Sequence, residues 1–242
     1  MNTKQQYILH LADNALILGQ RLGDWCGHGP ILEQDMALTN IALDLVGQAR
    51  LYYQYAAELD LNGVKTEDDF AYFRHDKNFY NCLLVEVPNG DFGKTIIRQL
   101  FYSVFNYAQL NSLLSSADDQ LRAVAEKSIK EVKYHVRFSR EWTLRLGDGT
   151  DESHRRMQDA VDELWGYLGE LFIPTIYETT LLKEGVSVDV QAIKDEVMTQ
   201  IKAFLTEATL AVPDHNWIHS GGKEGRHTEH LSYLLADMQI LQ

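Results

Sequence analysis

The sequence predicts an all-α protein, and three observations carry that expectation. Apolar residues recur three and four apart through long segments, which is the repeat of a helix with one buried side. Only 4 prolines interrupt 242 residues, and glycines gather at a few breaks between those segments.

Segment A covers about residues 4–22, with Tyr7, Leu11, Leu18 and Leu22 on its apolar side, and stops at the cluster Gly23, Gly27, Gly29 and Pro30. Segment B covers about 31–61, with Leu38, Ile41, Leu45, Ala49, Tyr52, Ala56 and Leu59 in register. At about 1.5 Å per residue it is some 45 Å long. A long connector follows, with short apolar pieces at 70–73 and 79–85, closed by the turn signal Pro88-Asn89-Gly90. Asp91 reads as the N-cap of segment C, about 92–116, and segment D runs from about 118 to 146, ending at Gly147 and Gly149.

Two helical hairpins, A with B and C with D, are thus joined by one long crossover. That connectivity is the ferritin-like four-helix bundle rather than an up-down-up-down bundle. Beyond it the sequence predicts segment E to about Glu184, segment F from about Asp189 to Ala211, a turn-rich stretch with Pro213 and Gly221-Gly222, and a last helix from about Thr228. Six or seven helices are expected in a single domain over 1–242, with the bundle core at about 4–147 and extra helices at about 152–242 packed on it.

The charge balance is acidic, 22 Lys+Arg against 35 Asp+Glu for a net of -13. Nucleic acid and anionic membrane both demand a basic surface, so neither is the expected main partner. No segment approaches the roughly 20 apolar residues of a membrane span, and MNTKQQYILHLADN lacks the basic start and apolar run of a signal peptide. Cys26 and Cys82 have no metal-like or redox-motif spacing and read as two reduced thiols. A soluble cytoplasmic protein is expected.

Ferritin-like di-iron sites take a Glu-x-x-His pair from each of two helices and a single Glu from each of the other two. On segment D, Glu131 is followed at the third position by Tyr134, and the imidazole arrives one residue late, at His135. On segment B the best-placed acid is Asp44, followed at the third position by Gly47 and then by Gln48. Segment C has no acid at all, and segment A offers only Asp13, three residues after His10. Iron needs several donors converging together, so no metal is expected in this chain. Glu131 and His135 are expected to pair with each other or with neighbouring helices beside Phe138 and Trp142. Glu224-x-x-His227 and Asp151-x-x-His154 match by letter but fall at breaks, where capping or surface hydrogen bonding is the expectation. SGGKEGRH lacks the P-loop pattern.

Four stretches in order, QRLGDWCGHGPILEQDMALTNIALDLVGQAR, LLVEVPNGDFGKTIIRQ, IKEVKYHVRFSREW and GGKEGRHTEHLSYLLADMQ, resemble the family of the C subunit of bacterial phenylacetyl-CoA epoxidase, an enzyme also called ring 1,2-phenylacetyl-CoA monooxygenase. The resemblance covers nearly the whole chain. It implies a multicomponent enzyme of aerobic phenylacetate breakdown that uses molecular oxygen. It further implies a homologous subunit that holds the di-iron centre and the CoA thioester, with further small and reductase subunits. Members of the resembled family are implied to be structural partners without catalytic residues or cofactor. Asp44, Gly47, Glu131 and Tyr134 are then degenerate remnants of the metal positions. The rival expectations are an independent di-iron oxidase or iron-storage bundle using Glu131 and His135, and a helical adaptor outside oxygen chemistry.

Two surfaces remain open from the residues alone. Segment C is nearly uncharged from Gln99 to Ser116, with Leu100, Phe101, Val104, Phe105, Tyr107, Leu110, Leu113 and Leu114 around more than one face. It is either a central helix covered by E and F or part of a subunit interface. On segment D, Lys130, Lys133, Arg137 and Arg140 form a basic stripe, either a solvated face or a dock for an acidic partner or CoA phosphates.

Overall fold

The computed structural model describes residues 2–60 and 65–240. The described residues form ten α-helices and no strand. Helices α1 (Thr3–Gly23) and α2 (Leu32–Glu58) form one long hairpin, and α5 (Phe92–Leu113) and α6 (Asp119–Gly147) form the other. The crossover between them carries α3 (Glu67–Tyr72), a 3-10 turn at Asp76–Asn78 and the single turn α4 (Leu83–Glu86). Expected segments A to D are therefore all present in the ferritin-like order. The last residue of segment B, Leu61, lies outside the described residues, and α2 itself closes with Leu59 as its C-cap.

Caps set the starts. Asn2, Asp91 and Asp118 each accept an N–H from the first turn of the helix that follows, which removes one orphan donor apiece. The two hairpin helices α1 and α2 approach closely at Gly19, where an added Cβ would sit 3.1 Å from Val46 Cγ2 and 3.3 Å from the Ala42 carbonyl.

Segment E proves to be two helices. α7 (Asp151–Leu168) tightens into a 3-10 turn at Gly169–Phe172, and α8 (Ile176–Leu182) starts afresh. Pro174 between them has no N–H to continue the ladder, while Thr175 and Glu178 form a capping box that starts α8. Segment F is shorter than expected, α9 (Lys194–Glu207). Asp189 captures the N–H groups of Gln191 and Ala192 and holds the start of that segment in a turn. α10 (Glu229–Gln239) closes over α3.

α7 and α9 cover α5, so the apolar surplus of segment C is buried inside the chain. Leu100, Phe101, Val104, Phe105, Leu110 and Leu113 are all buried, with Phe101 edge-on to Trp165 and Phe105 edge-on to Phe172. Tyr107 and Leu114 are half-buried. Segment C is the central helix and leaves no broad apolar face for another subunit.

Candidate functional site

The expected metal positions meet where α2 and α6 face each other. Asp44 and Gln48 stand four apart on α2, as do Glu131 and His135 on α6, so each pair shares one helix face. Gln48 Nε2 donates to Glu131 Oε2 at 3.1 Å, and His135 Nε2 lies 3.0 Å from Asp44 Oδ2. The later residue on one helix pairs with the earlier on the other, as antiparallel helices require. His135 is buried, with 1% of its surface exposed. The expectation that Glu131 and His135 pair with a neighbouring helix thus matches the geometry.

Burial pushes the Glu131 carboxyl above the usual glutamate range, and the nearby Asp44 charge pushes the same way. The Gln48 hydrogen bond and His135 offset this only in part. A neutral side chain of equal shape should therefore serve as well. We expect Glu131→Gln to keep stability within about 1 kcal/mol of the native chain, while Glu131→Ala orphans Gln48 and costs about 1 to 3 kcal/mol. Thermal unfolding of the two variants checks this, and equal losses would contradict the hydrogen-bonding role.

By the Glu-x-x-His spacing, Gly47 and Tyr134 take the places expected for histidine. A Cβ at Gly47 would meet nothing within 4 Å. Tyr134 is half-buried, tilted against Phe138 at 6.2 Å and covered by the Arg137 guanidinium at 5.3 Å from its ring centroid. Gly47 has no side chain to ligate, and Tyr134 offers a phenol in place of the imidazole.

The acid of α1, Asp13, is fully buried and saturated. It is ion-paired with Arg74 and accepts from Tyr53 Oη at 2.6 Å and from the Tyr80 N–H at 2.8 Å. His10, three residues before it, bonds the Tyr80 carbonyl through Nδ1 at 2.7 Å. A ferritin-like bundle implies a di-iron centre, and these residues do not fit one: α5 brings no acid, and the cation beside Asp13 is already an arginine. Among the described residues no three His, Cys, Asp or Glu side chains converge as a metal group.

The letter matches resolve into structural contacts. His154 Nδ1 lies 2.7 Å from the Gly147 carbonyl at the end of α6, a C-terminal cap of the expected kind. His227 departs from the surface expectation. Its side chain is 3% exposed, 2.7 Å from Glu86 Oε2 through Nδ1 and 2.9 Å from the Phe79 carbonyl through Nε2, while Glu224 turns to Arg226 at the surface.

Sequence reasoning missed three buried carboxylates that hold the segment around His227. Glu86 accepts from Asn81, His227 and both the N–H and hydroxyl of Thr228. Glu170 accepts from the N–H groups of Leu83, Gly221 and Gly222. Glu178 pairs with Lys223 at 2.8 Å. The available signal was a lone acid inside an apolar run, as in LLVEV and GELF.

Burial disfavours charged His227, but the hydrogen bond and charge of Glu86 outweigh it and raise its pKa above the ordinary histidine value. The folded pKa therefore exceeds the unfolded value of about 6.5. The stabilisation by charged His227 is fully present below that unfolded value and is lost as pH rises through the raised folded value. The melting-temperature difference between the native chain and His227→Gln should accordingly shrink from pH 6 towards alkaline pH. A difference that grows with pH would reverse the assignment.

The basic stripe is also brought together. Lys130, Lys133, Arg137 and Arg140 line one cavity of about 550 Å³ between α5, α6 and α9. Among the described residues no helix is long and apolar enough to cross a membrane.

The model of the family described as "Phenylacetic acid catabolic protein" matches residues 1–242. The chain is also 48% identical over 242 residues, all of this chain and 97% of its relative, to a protein of Escherichia coli (strain K12) named as the C subunit of 1,2-phenylacetyl-CoA epoxidase.

Proposed function

The chain belongs to the phenylacetic acid catabolic protein family, and from that premise we propose that it is the non-catalytic structural subunit of a cytoplasmic phenylacetyl-CoA epoxidase. Its partner in this reading is a homologous di-iron subunit, which epoxidises the aromatic ring with molecular oxygen in aerobic phenylacetate catabolism. Small and reductase subunits complete the assembly. The observation that carries the reading is the use already made of every candidate ligand. Asp44, Gln48, Glu131 and His135 bond one another across α2 and α6, and Asp13 is neutralised by Arg74.

The same reading needs a face for the partner, and α2 offers one. Leu32, Met36 and Leu43 are 56 to 70% exposed, and with open Gly47 they follow one side of the helix. Small and apolar residues in line let a second helix approach closely.

Co-expression with the catalytic subunit, followed by co-purification and iron analysis of each chain, tests the proposal. The expected result is a stable complex with iron in the partner alone, weakened by Leu43→Glu with no change in the melting temperature of the isolated chain. About two iron atoms bound per copy of this chain, the complement of a di-iron carboxylate site, would favour an independent oxidase or storage bundle and overturn it.

A further inference from the structure

We propose that the cavity between α5, α6 and α9 binds a phosphorylated nucleotide, with its phosphates on Lys130, Lys133 and Arg137 and its base against the tyrosine walls. The site is a property of the isolated chain and stands whether or not the scaffold reading holds.

The charge pattern is the first argument. The chain carries a net charge of -13, and most of its surface arginines are already paired. Arg50 pairs with Glu67, Arg122 with Asp119, Arg155 with Glu152 and Asp159, and Arg226 with Glu224. Lys130, Lys133 and Arg137 are exposed, and among the described residues no carboxylate lies within ion-pair distance of any of them. They fall within two turns of one helix, so three like charges sit within about 10 Å of one another along the axis. Such a cluster repels itself until an anion neutralises it.

Shape is the second. The cations line a half-open groove of about 550 Å³, a volume inside the usual range of about 300 to 1,000 Å³ for small-molecule sites. Arg140 is fixed as one wall by two 2.7 Å bonds to Glu207 and by stacking 5.2 Å from the Phe204 ring centroid. That anchorage leaves the other three cations to meet the ligand. Lysines meet phosphate as mobile point charges, and an arginine can add a bidentate contact.

Chemistry of the walls is the third. Tyr107 from α5 and Tyr134 from α6 both line the cavity. Both are half-buried, and neither hydroxyl bonds another described residue. Tyr107, and Tyr134 with the Arg137 guanidinium already 5.3 Å from its ring centroid, offer an aromatic and cationic surface with unused hydroxyls, which suits a nucleobase and its ribose better than an acidic protein surface that would engage the cations alone. Two sources share this chemistry, a free nucleotide such as ADP and the phosphorylated adenosine end of a coenzyme A thioester.

Isothermal titration calorimetry on the full chain tests the site with pyrophosphate, ADP, coenzyme A, unphosphorylated adenosine and a poly-glutamate peptide. Saturable one-to-one binding of ADP or coenzyme A is expected, tighter than pyrophosphate, undetectable for adenosine and weakened by added salt. The tighter of ADP and coenzyme A identifies the source. Lys133→Glu with Arg137→Glu should weaken binding by about a hundredfold, roughly tenfold for each lost charge-assisted contact. Lys183→Glu, outside the cavity, should leave it unchanged. Absence of binding by every phosphate probe at low salt, equal binding by the double variant, or tighter binding of poly-glutamate than of either nucleotide would each overturn the proposal. Circular dichroism of the double variant, whose changed positions are exposed, confirms that it is folded before it is compared.

Discussion

Asp13→Ala is expected to lower the melting temperature by about 6 to 20 °C. Asp13 is fully buried on α1, and the Arg74 side chain beside it is 5% exposed. The substitution leaves a guanidinium in the core with no anion, 4.0 Å from the Phe79 ring centroid, and it also orphans the Tyr53 hydroxyl and the Tyr80 N–H. Breaking a buried pair from one side costs about 3 to 5 kcal/mol, and in a chain of this length each kcal/mol moves the midpoint by about 2 to 4 °C. The size of the loss comes from the stranded charge rather than from the bond. Replacing both partners, as in Asp13→Leu with Arg74→Leu, should therefore recover a large part of it. Differential scanning calorimetry of single and double variants separates the two contributions. A single variant that melts within about 2 °C of the native chain, less than 1 kcal/mol on this scale, would show that the pair is not the anchor its burial indicates.

That anchor shows where sequence reading stops. Helices α1, α2, α5 and α6 were legible because each carries its own apolar repeat, and a repeat needs no knowledge of neighbours. The division of segment E was not, because apolar spacing continues across Pro174 and hides the new start capped by Thr175. At the α2 and α6 junction the broken ligand pattern could be read from Gly47 and Tyr134, since spacing along one helix fixes which residues share a face. The pairing of Gln48 with Glu131 and Asp44 with His135 could not, because register between helices 83 and 91 residues apart is a tertiary property. The same limit hid the cavity. Its four cations lie in one sequence stripe, but Tyr107 and Gln200 come from α5 and α9.

The second large effect is expected at Lys223, the cation that ties the C-terminal segment to α8 and thereby to α1. Lys223 Nζ lies 2.8 Å from Glu178 Oε2 and 3.0 Å from the Ile173 carbonyl, with both charged side chains nearly inaccessible. Burial raises the Glu178 carboxyl, but the Lys223 charge and that of His10 more than reverse it, so its folded pKa lies below the ordinary value. The stabilisation is therefore present above the unfolded glutamate pKa of about 4.3 and lost as pH falls through the lower folded value. Lys223→Met keeps much of the side-chain volume and strands the carboxylate, for an expected loss of about 3 to 5 kcal/mol at neutral pH. The deficit should shrink as pH falls through the carboxylate range, and Glu178→Gln added to Lys223→Met should reduce it at neutral pH. A local readout distinguishes this from general weakening. The N–H groups of Gly221 and Gly222, next in sequence to Lys223, donate to Glu170 at 2.7 Å, so hydrogen exchange there should accelerate in Lys223→Met more than in the buried centre of α5. Uniform acceleration across both regions, or a deficit that widens in acid, would mean that Lys223 does not act through Glu178 to hold this segment in place.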